Sequence, residues 1–204
     1  MRERETDLTG KKFPSKIPVK DCRIDRLDIR ISGSGGQGII STGMILGKAI
    51  AVGDGRNVSQ SQSYGPEARG GAAFADIIIS DGEIYFPGCN DLDLLVAFTG
   101  ESYEKFARNT KENGIIIADV GAVDVLTGNA NTIRIPFIKL AKDTFGMPLT
   151  ANIICLGFLS AFCGIVSKKS IEDTVIEEFQ GSKHLEVNLK ALKTGLELGA
   201  HFKI

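Results

Sequence analysis

The stretch LDIRISGSGGQGIISTGMILGKAIAV, residues 27–52, decides how this chain is read. Leu27, Ile29 and Ile31 alternate with Asp28 and Arg30, the period of a short strand. Gly33-Ser-Gly35-Gly36-Gln37-Gly38 follows at once. Residues 39–52 then read as a helix in which Ile39, Leu46 and Ile50 fall near one face, stopped by Gly53-Asp54-Gly55. Strand, glycine turn, helix and glycine stop open a βαβ unit. Gly33, Gly35 and Gly38 fit G-x-G-x-x-G after a strand and at a helix start, where backbone N–H groups and the helix dipole favour an anion. A dinucleotide site needs, in addition, an acid about 20 residues on for a ribose hydroxyl. Asn57-Val58-Ser59-Gln60-Ser61 stands there, while Asp54 and Arg56 come too early for a ribose or a 2′-phosphate. The pattern supports the fold more than a dinucleotide. Packing glycines, a phosphate contact and a partner's backbone stay open as readings of the turn.

Outward from this unit, residues 57–59 suggest a second strand, followed by a polar loop over 60–71. Residues 72–80 and 83–86 are strand-like and separated by Asp81-Gly82, a hairpin signal. Residues 92–99 (LDLLVAFT) are apolar without alternation, as in a strand buried on both faces. An amphipathic helix over 101–112 carries Tyr103 and Phe106 and closes at Asn113-Gly114. Strands over 115–119 and 132–135, a helix over 137–145 stopped by Gly146, an apolar helix from about 151, and helices over 170–179 and 185–198 complete the pattern. These elements predict an α/β, Rossmann-like three-layer domain over residues 25–204: a mostly parallel sheet with an inserted β-hairpin and helices on both faces. Residues 1–24 are charge-dense, carry Pro14 and Pro18, and read as an N-terminal arm, flexible or laid on a partner.

Composition excludes several classes. Lys+Arg of 24 against Asp+Glu of 25 leaves a net charge of −1, without the basic excess of a nucleic-acid surface. Two histidines, His184 and His201, make a poor start for a histidine metal site or proton relay. The cysteines Cys22, Cys89, Cys155 and Cys163 form no C-x-x-C pair, so they read as buried or idle thiols in a reducing cytoplasm rather than cluster ligands. Residues 151–166 (ANIICLGFLSAFCGIV) fall short of the ~20 apolar residues of a membrane span and read as a buried core helix. No secretory signal is visible.

The second distinctive stretch is QSQSYGPEARGG, residues 60–71. Tyr64, Glu67 and Arg69 stand within a frame of Gly65, Gly70 and Gly71, which permits close approach. Two readings hold: a loop folded back on itself with Glu67 and Arg69 internally paired, or a loop at the C-terminal edge of the sheet facing a substrate, a cofactor phosphate or another subunit. Neither stretch holds a nucleophile–base pair, a metal cage or a matched acid and base.

Residues 33–49 (GSGGQGIISTGMILGKA) and 60–71 closely resemble the gamma subunits of 2-oxoacid:ferredoxin oxidoreductases. The likeness continues through 75–87, 151–167 and 188–199, so it spans about residues 27 to 199. The Gly-Gly-Gln-Gly turn combined with Tyr-Gly-Pro-Glu-Ala-Arg-Gly-Gly looks most like the 2-oxoglutarate type; pyruvate and branched-chain types are the alternatives. The resemblance implies a division of labour. Thiamine diphosphate with Mg and the iron–sulfur clusters are held by partner alpha and beta chains, or a ferredoxin-like delta chain, and none is bound by this chain alone. The complex oxidatively decarboxylates a 2-oxoacid, passes electrons to ferredoxin and transfers the acyl group to coenzyme A (CoA). No catalytic residue and no metal ligand is then expected here, nor any nucleic-acid or membrane partner. The resemblance implies that Gly33, Gly35, Gly36, Gln37 and Gly38, with Tyr64, Gly65, Pro66, Glu67, Arg69, Gly70 and Gly71, line loops facing the alpha chain or an anion such as the CoA phosphates. Asn152, at the head of the apolar helix, also matches a family position, although a buried amide bonding nearby backbone is its simpler reading. A stand-alone dinucleotide enzyme and a purely structural subunit are the competing functions.

Overall fold

The computed structural model describes residues 23–63, 72–121 and 132–202. In chain order the elements are β1 (Leu27–Ser34), α1 (Ile39–Lys48) continued by a π turn (Ala49–Gly53), β2 (Asn57–Ser63), β3 (Ala72–Ser80), β4 (Leu92–Ala97), α2 (Gly100–Phe106), β5 (Thr110–Asp119), β6 (Thr132–Ile135), α3 (Phe137–Phe145), α4 (Ala151–Phe162), α5 (Lys168–Phe179) and α6 (Leu185–His201). The strands form one sheet in the order β2-β3-β1-β4-β5-β6. β1, β4, β5 and β6 are parallel, and β3 is antiparallel to both β1 and β2. Among the described residues only β3 therefore runs against the others.

Period-two alternation sorts the strands between two cores. Ile29, Ile31, Ile77, Ile79, Leu94 and Val96 face the larger core, which α1, α3, α4, α5 and α6 supply. Ile78, Leu95, Ile116 and Ala118 face a smaller one closed by Tyr103 and Phe106 of α2. Each fully buried aliphatic side chain contributes ~1.5–3 kcal/mol relative to exposure, so the sheet is held chiefly from the first face. Asp28 and Arg30 point to the second face and are nonetheless buried. Arg30 reaches Asp76 with Nε at 2.6 Å and Nη2 at 2.7 Å, and its guanidinium lies over the edge-to-face pair of Phe74 and Phe106, 4.3 and 4.6 Å from their ring centroids. A buried charge is tolerated only when paired in this way.

The apolar run at 151–166 is a core helix. Ten residues in succession from Ala151 to Ser160 are buried in α4. Its close neighbour is α6, where a Cβ on Gly157 would stand 2.8 Å from the Leu196 backbone nitrogen, so only glycine allows the two helices this approach. No helix among the described residues is long and apolar enough to cross a membrane.

Three local expectations are corrected. Asp81-Gly82 does not turn a hairpin: Asp81 accepts from the Ile24 N–H at 2.7 Å and donates its own N–H to the Ile24 carbonyl at 2.8 Å, and residues 83–90 carry no strand. The antiparallel hairpin pairs β2 with β3 instead, with residues 64–71 as its connection. β2 runs to Ser63 rather than Ser59, because the Gln60 side chain packs on α1, its Oε1 3.2 Å from where a Gly47 Cβ would lie; a glutamine on the inner face hides the alternation. Finally, α2 ends at Phe106, a 3-10 turn covers Ala107–Asn109, and Asn113 and Gly114 lie inside β5. Gly114 is needed there for close approach, since a Cβ would sit 2.8 Å from the Leu92 carbonyl. Of the arm read over residues 1–24, residues 1–22 lie outside the described residues, and Ile24 is buried in the larger core.

Candidate functional site

Connectivity places the site before any side chain is considered. From β1 the chain passes through α1 on one face to β2, and from β4 through α2 on the other face to β5. Doubly wound sheets open a crevice where such connections diverge, outside the carboxyl ends of the strands. Here that point lies between β1 and β4, where the glycine turn begins. Phe98 donates its N–H to the Ser32 carbonyl at 2.9 Å, and a Cβ on Gly33 would lie 3.1 Å from the Phe98 Cβ.

The turn is closed from within. The Gln37 N–H donates to the Ser34 carbonyl at 3.2 Å, and the Ser34 N–H donates to Gln37 Oε1 at 2.8 Å. Gln37 is thereby spent on the turn's own geometry. Gly36 (φ +88°) and Gly38 (φ +72°) adopt the left-handed backbone that leads into α1. Gly38 is the N-cap, and no side chain caps the helix. The first helical bond runs from the Thr42 N–H to the Gly38 carbonyl at 2.9 Å, so the amides of Ile39, Ile40 and Ser41 precede any helical acceptor. No acidic residue occupies the first turn of α1.

A cavity of about 290 Å³ opens beside these amides. The turn (Ser34, Gly35, Gly36, Gly38), the first turn of α1, Ala73 of β3 and Leu149 line it, all uncharged. Register brings the second motif to the same place: Ser34 of β1 is opposite Ala72, the first residue after it, and Ser63, the last before it, is opposite Phe74. Residues 64–71, with Tyr64, Gly65, Pro66, Glu67, Arg69, Gly70 and Gly71, lie outside the described residues; of the residues that flank them, Ala72 is opposite Ser34 while Ser63 lies one strand further out.

Asn152 reaches the turn from α4. A Cβ on Gly38 would collide with its Nδ2, so glycine at 38 leaves the space that the amide fills. Asn152 is buried, 8% exposed, with its amide beside the Gly38 backbone. The cavity residues Ser34, Ser41, Ala73 and Leu149 carry no sequence signal; only the fold assembles them.

The groups outside the site serve the fold. Asp54 accepts from the Ser167 N–H at 2.8 Å and from Ser170 Oγ at 2.6 Å, steadying the N-terminus of α5, which Ser167 caps. Asp119 accepts from the N–H groups of Gly121 and Ile138, both at 2.8 Å, at the start of α3. Burial pushes the thiols of Cys89 and Cys163 up to about 12 and raises that of Cys155 well above the usual range. These thiols do not fit iron–sulfur ligation, which needs thiolates gathered at one point. Among the described residues no three His, Cys, Asp or Glu side chains stand together as a metal site.

Comparison with known proteins places this architecture. The family model for pyruvate ferredoxin/flavodoxin oxidoreductase matches residues 28–198. The chain is 39% identical over 176 residues to the 2-oxoglutarate synthase subunit KorC of Methanocaldococcus jannaschii, covering 85% of this chain and 94% of that one. Its fold matches the gamma subunit of a keto/oxoacid ferredoxin oxidoreductase from Geobacter sulfurreducens with a TM-score of 0.78 and 38% identity, over 88% of this chain and 99% of that one. It also matches 31% of the chain of a 2-oxoglutarate:ferredoxin oxidoreductase from Magnetococcus marinus, solved with 2-oxoglutarate, coenzyme A and succinyl-CoA bound, with a TM-score of 0.77 and 27% identity over 87% of this chain.

Proposed function

This chain belongs to the pyruvate ferredoxin/flavodoxin oxidoreductase family, and from that membership we propose that it is the gamma-type subunit of a cytoplasmic, multi-subunit 2-oxoglutarate:ferredoxin oxidoreductase. The complex converts a 2-oxoacid and coenzyme A to the acyl-CoA and carbon dioxide, and two electrons leave to ferredoxin. This chain contributes assembly and the approach to the active site. Thiamine diphosphate, Mg and the iron–sulfur clusters belong to alpha-type and beta-type partners or a ferredoxin-like delta chain. The three described thiols are buried, which supports placing the clusters elsewhere.

One observation carries the reading. The glycine turn and the residue that follows the second motif, apart in sequence, are joined by the pairing of Ser34 with Ala72, next to a cavity whose lining carries no charged side chain. Such a surface binds and positions; it does not itself transform a 2-oxoacid. By the resemblance, Arg69 and the α1 N-terminus are the groups offered to an anion, for which a CoA phosphate is the candidate.

Anoxic purification of the chain from its own cells, followed by native mass measurement, tests the assignment. Recovery with chains that carry thiamine diphosphate and iron is the expected result; a colourless monomer or homodimer refutes it. In the assembled enzyme, Arg69→Ala should weaken subunit affinity or raise the apparent KM for CoA. If both are unchanged, the loop has no role in the approach.

A further inference from the structure

Between β3 and β4 the chain holds two aromatic side chains out to solvent. Tyr85 is 86% exposed and Phe86 56%, more than any other aromatic among the described residues. Their backbone is anchored. Arg26 donates from Nη1 to the Phe86 carbonyl at 2.8 Å and from Nη2 to the Gly88 carbonyl at 2.6 Å, and is itself paired with the buried Asp28. The Phe86 ring lies against Gly88, where a Cβ would collide with it, and the Tyr85 hydroxyl meets Glu83. Exposed rings on an anchored backbone have little ordering entropy left to lose on contact, the character of an interaction surface. Around them, residues 81–93 (DGEIYFPGCNDLD) hold four carboxylates and no basic residue. Asp81 is engaged by Ile24 and Arg56, and Asp93 by Lys111. Glu83 and Asp91 are exposed and form no ion pair among the described residues.

Residues 1–22 join the fold at this same place. Ile24 exchanges two hydrogen bonds with Asp81, and Arg26, two residues on, holds the aromatic loop. Residues 11–20 (KKFPSKIPVK) carry four lysines and no acid, with Phe13, Ile17 and Val19 among them. Their charge and apolar content complement those of residues 81–93. At ~3.3–3.6 Å per residue, the seven steps from Ile24 back to Ile17 span up to ~25 Å, and the five from Asp81 to Phe86 at most ~18 Å, so Ile17 reaches the rings with chain to spare. We propose that residues 11–20 dock on the Tyr85–Phe86 pair of their own chain, with Phe13 and Ile17 against the rings and the lysines toward Glu83 and Asp91. Pro14 and Pro18 restrict the residues before them to extended backbone, and aromatic surfaces take extended proline-bearing segments at low ordering cost. The tether at Ile24 makes the contact intramolecular, so weak individual interactions suffice. The docking site lies where β1 begins, at the end of the sheet opposite the glycine turn, and it stands independently of the subunit reading.

The test uses the full chain, unaltered and in two double variants. Trypsin cleavage after Lys16 and Lys20, read by peptide mass at early times, should quicken ~10-fold in Tyr85→Ser with Phe86→Ser, the equivalent of ~1.4 kcal/mol of docking. Glu83→Gln with Asp91→Asn keeps the rings and should quicken cleavage ~2–5-fold. Raised salt should quicken cleavage of the unaltered chain more than that of this second variant. Carbodiimide should couple lysines of residues 11–20 to Glu83 or Asp91 within one chain. All four substituted side chains are exposed, so thermal unfolding should be unchanged; if the serine variant melts lower, the carboxamide variant and the coupling decide. Equal cleavage rates in all three proteins overturn the proposal. Coupling confined to pairs of chains also overturns it and makes a second copy the occupant. Free cleavage in the isolated chain with protection only in the assembled enzyme overturns it in favour of a partner subunit. Co-purification tests the subunit reading separately, so the two can fail independently.

Discussion

Replacing glycines of the turn one at a time by alanine should give a graded series whose order follows from local geometry. Gly35 has nothing within 4 Å of a would-be Cβ and an ordinary φ, so Gly35→Ala should leave stability almost unchanged. Gly36 has equally open space but φ +88°, so Gly36→Ala pays only the left-handed penalty, ~1–2 kcal/mol for an L-residue. Gly38 combines φ +72° with a collision against the Asn152 amide, and Leu149 Cδ1 stands 3.4 Å away on the same side. Adding ~1–3 kcal/mol for overpacking puts Gly38→Ala at ~2–5 kcal/mol. Urea unfolding followed by far-UV circular dichroism measures this. With a slope of ~2 kcal/mol per molar, Gly38→Ala should lower the midpoint by ~1–2.5 M and Gly36→Ala by less than ~1 M. A Gly36→Ala variant as unstable as Gly38→Ala would refute the role given to Asn152, because the backbone penalty alone would then account for both. Gly38→Ala combined with Asn152→Ala should recover the overpacking part and keep the left-handed part. A double variant that is strictly additive would also count against the contact.

Further outcomes follow from the surroundings of the site. Arg30→Met should destabilise the chain by ~3–5 kcal/mol in the same urea assay, because it strands the Asp76 carboxylate, 6% exposed, without its partner; adding Asp76→Leu should restore part of the loss. Burial raises the Asp28 carboxyl above the ordinary aspartate range, against the lowering effect of the Arg26 hydrogen bond. The native state then holds this proton more tightly than the unfolded state, so Asp28 opposes stability above its folded value and the opposition fades as pH falls through that value. Asp28→Asn should remove this component from a stability-versus-pH profile; an identical slope in acid would contradict it. Cys89, Cys155 and Cys163 should resist iodoacetamide at pH 8 in the folded chain and react after denaturation, since burial keeps them as thiols. Labelling of any of the three in the native chain, read by peptide mass, would show it accessible.

Much of the architecture was legible because it rests on local patterns. β1, the glycine turn and α1 follow from alternation, then glycine, then helical spacing, all within residues 27–52. α4 was read as buried from its lack of charge, and it is. The misreadings share one cause. Asp81-Gly82 carries the hairpin signal, yet Ile24, 57 residues earlier in the chain than Asp81, exchanges two hydrogen bonds with it. The polar strand β2 hides its inner face because Gln60 meets glycines of α1, which no local pattern encodes.

By itself, then, the sequence determined most of the order of strands and helices and the place of the glycine turn. Tertiary structure alone decided that β3 runs against its neighbours, that Ala72 meets Ser34, and that Asn152 of α4 lies against Gly38 more than 100 positions away in the chain. The physical reason is range. Backbone conformation and burial periodicity are set by residues within a turn or two, whereas a binding surface is made where hydrogen-bond register and helix packing bring distant residues to one point.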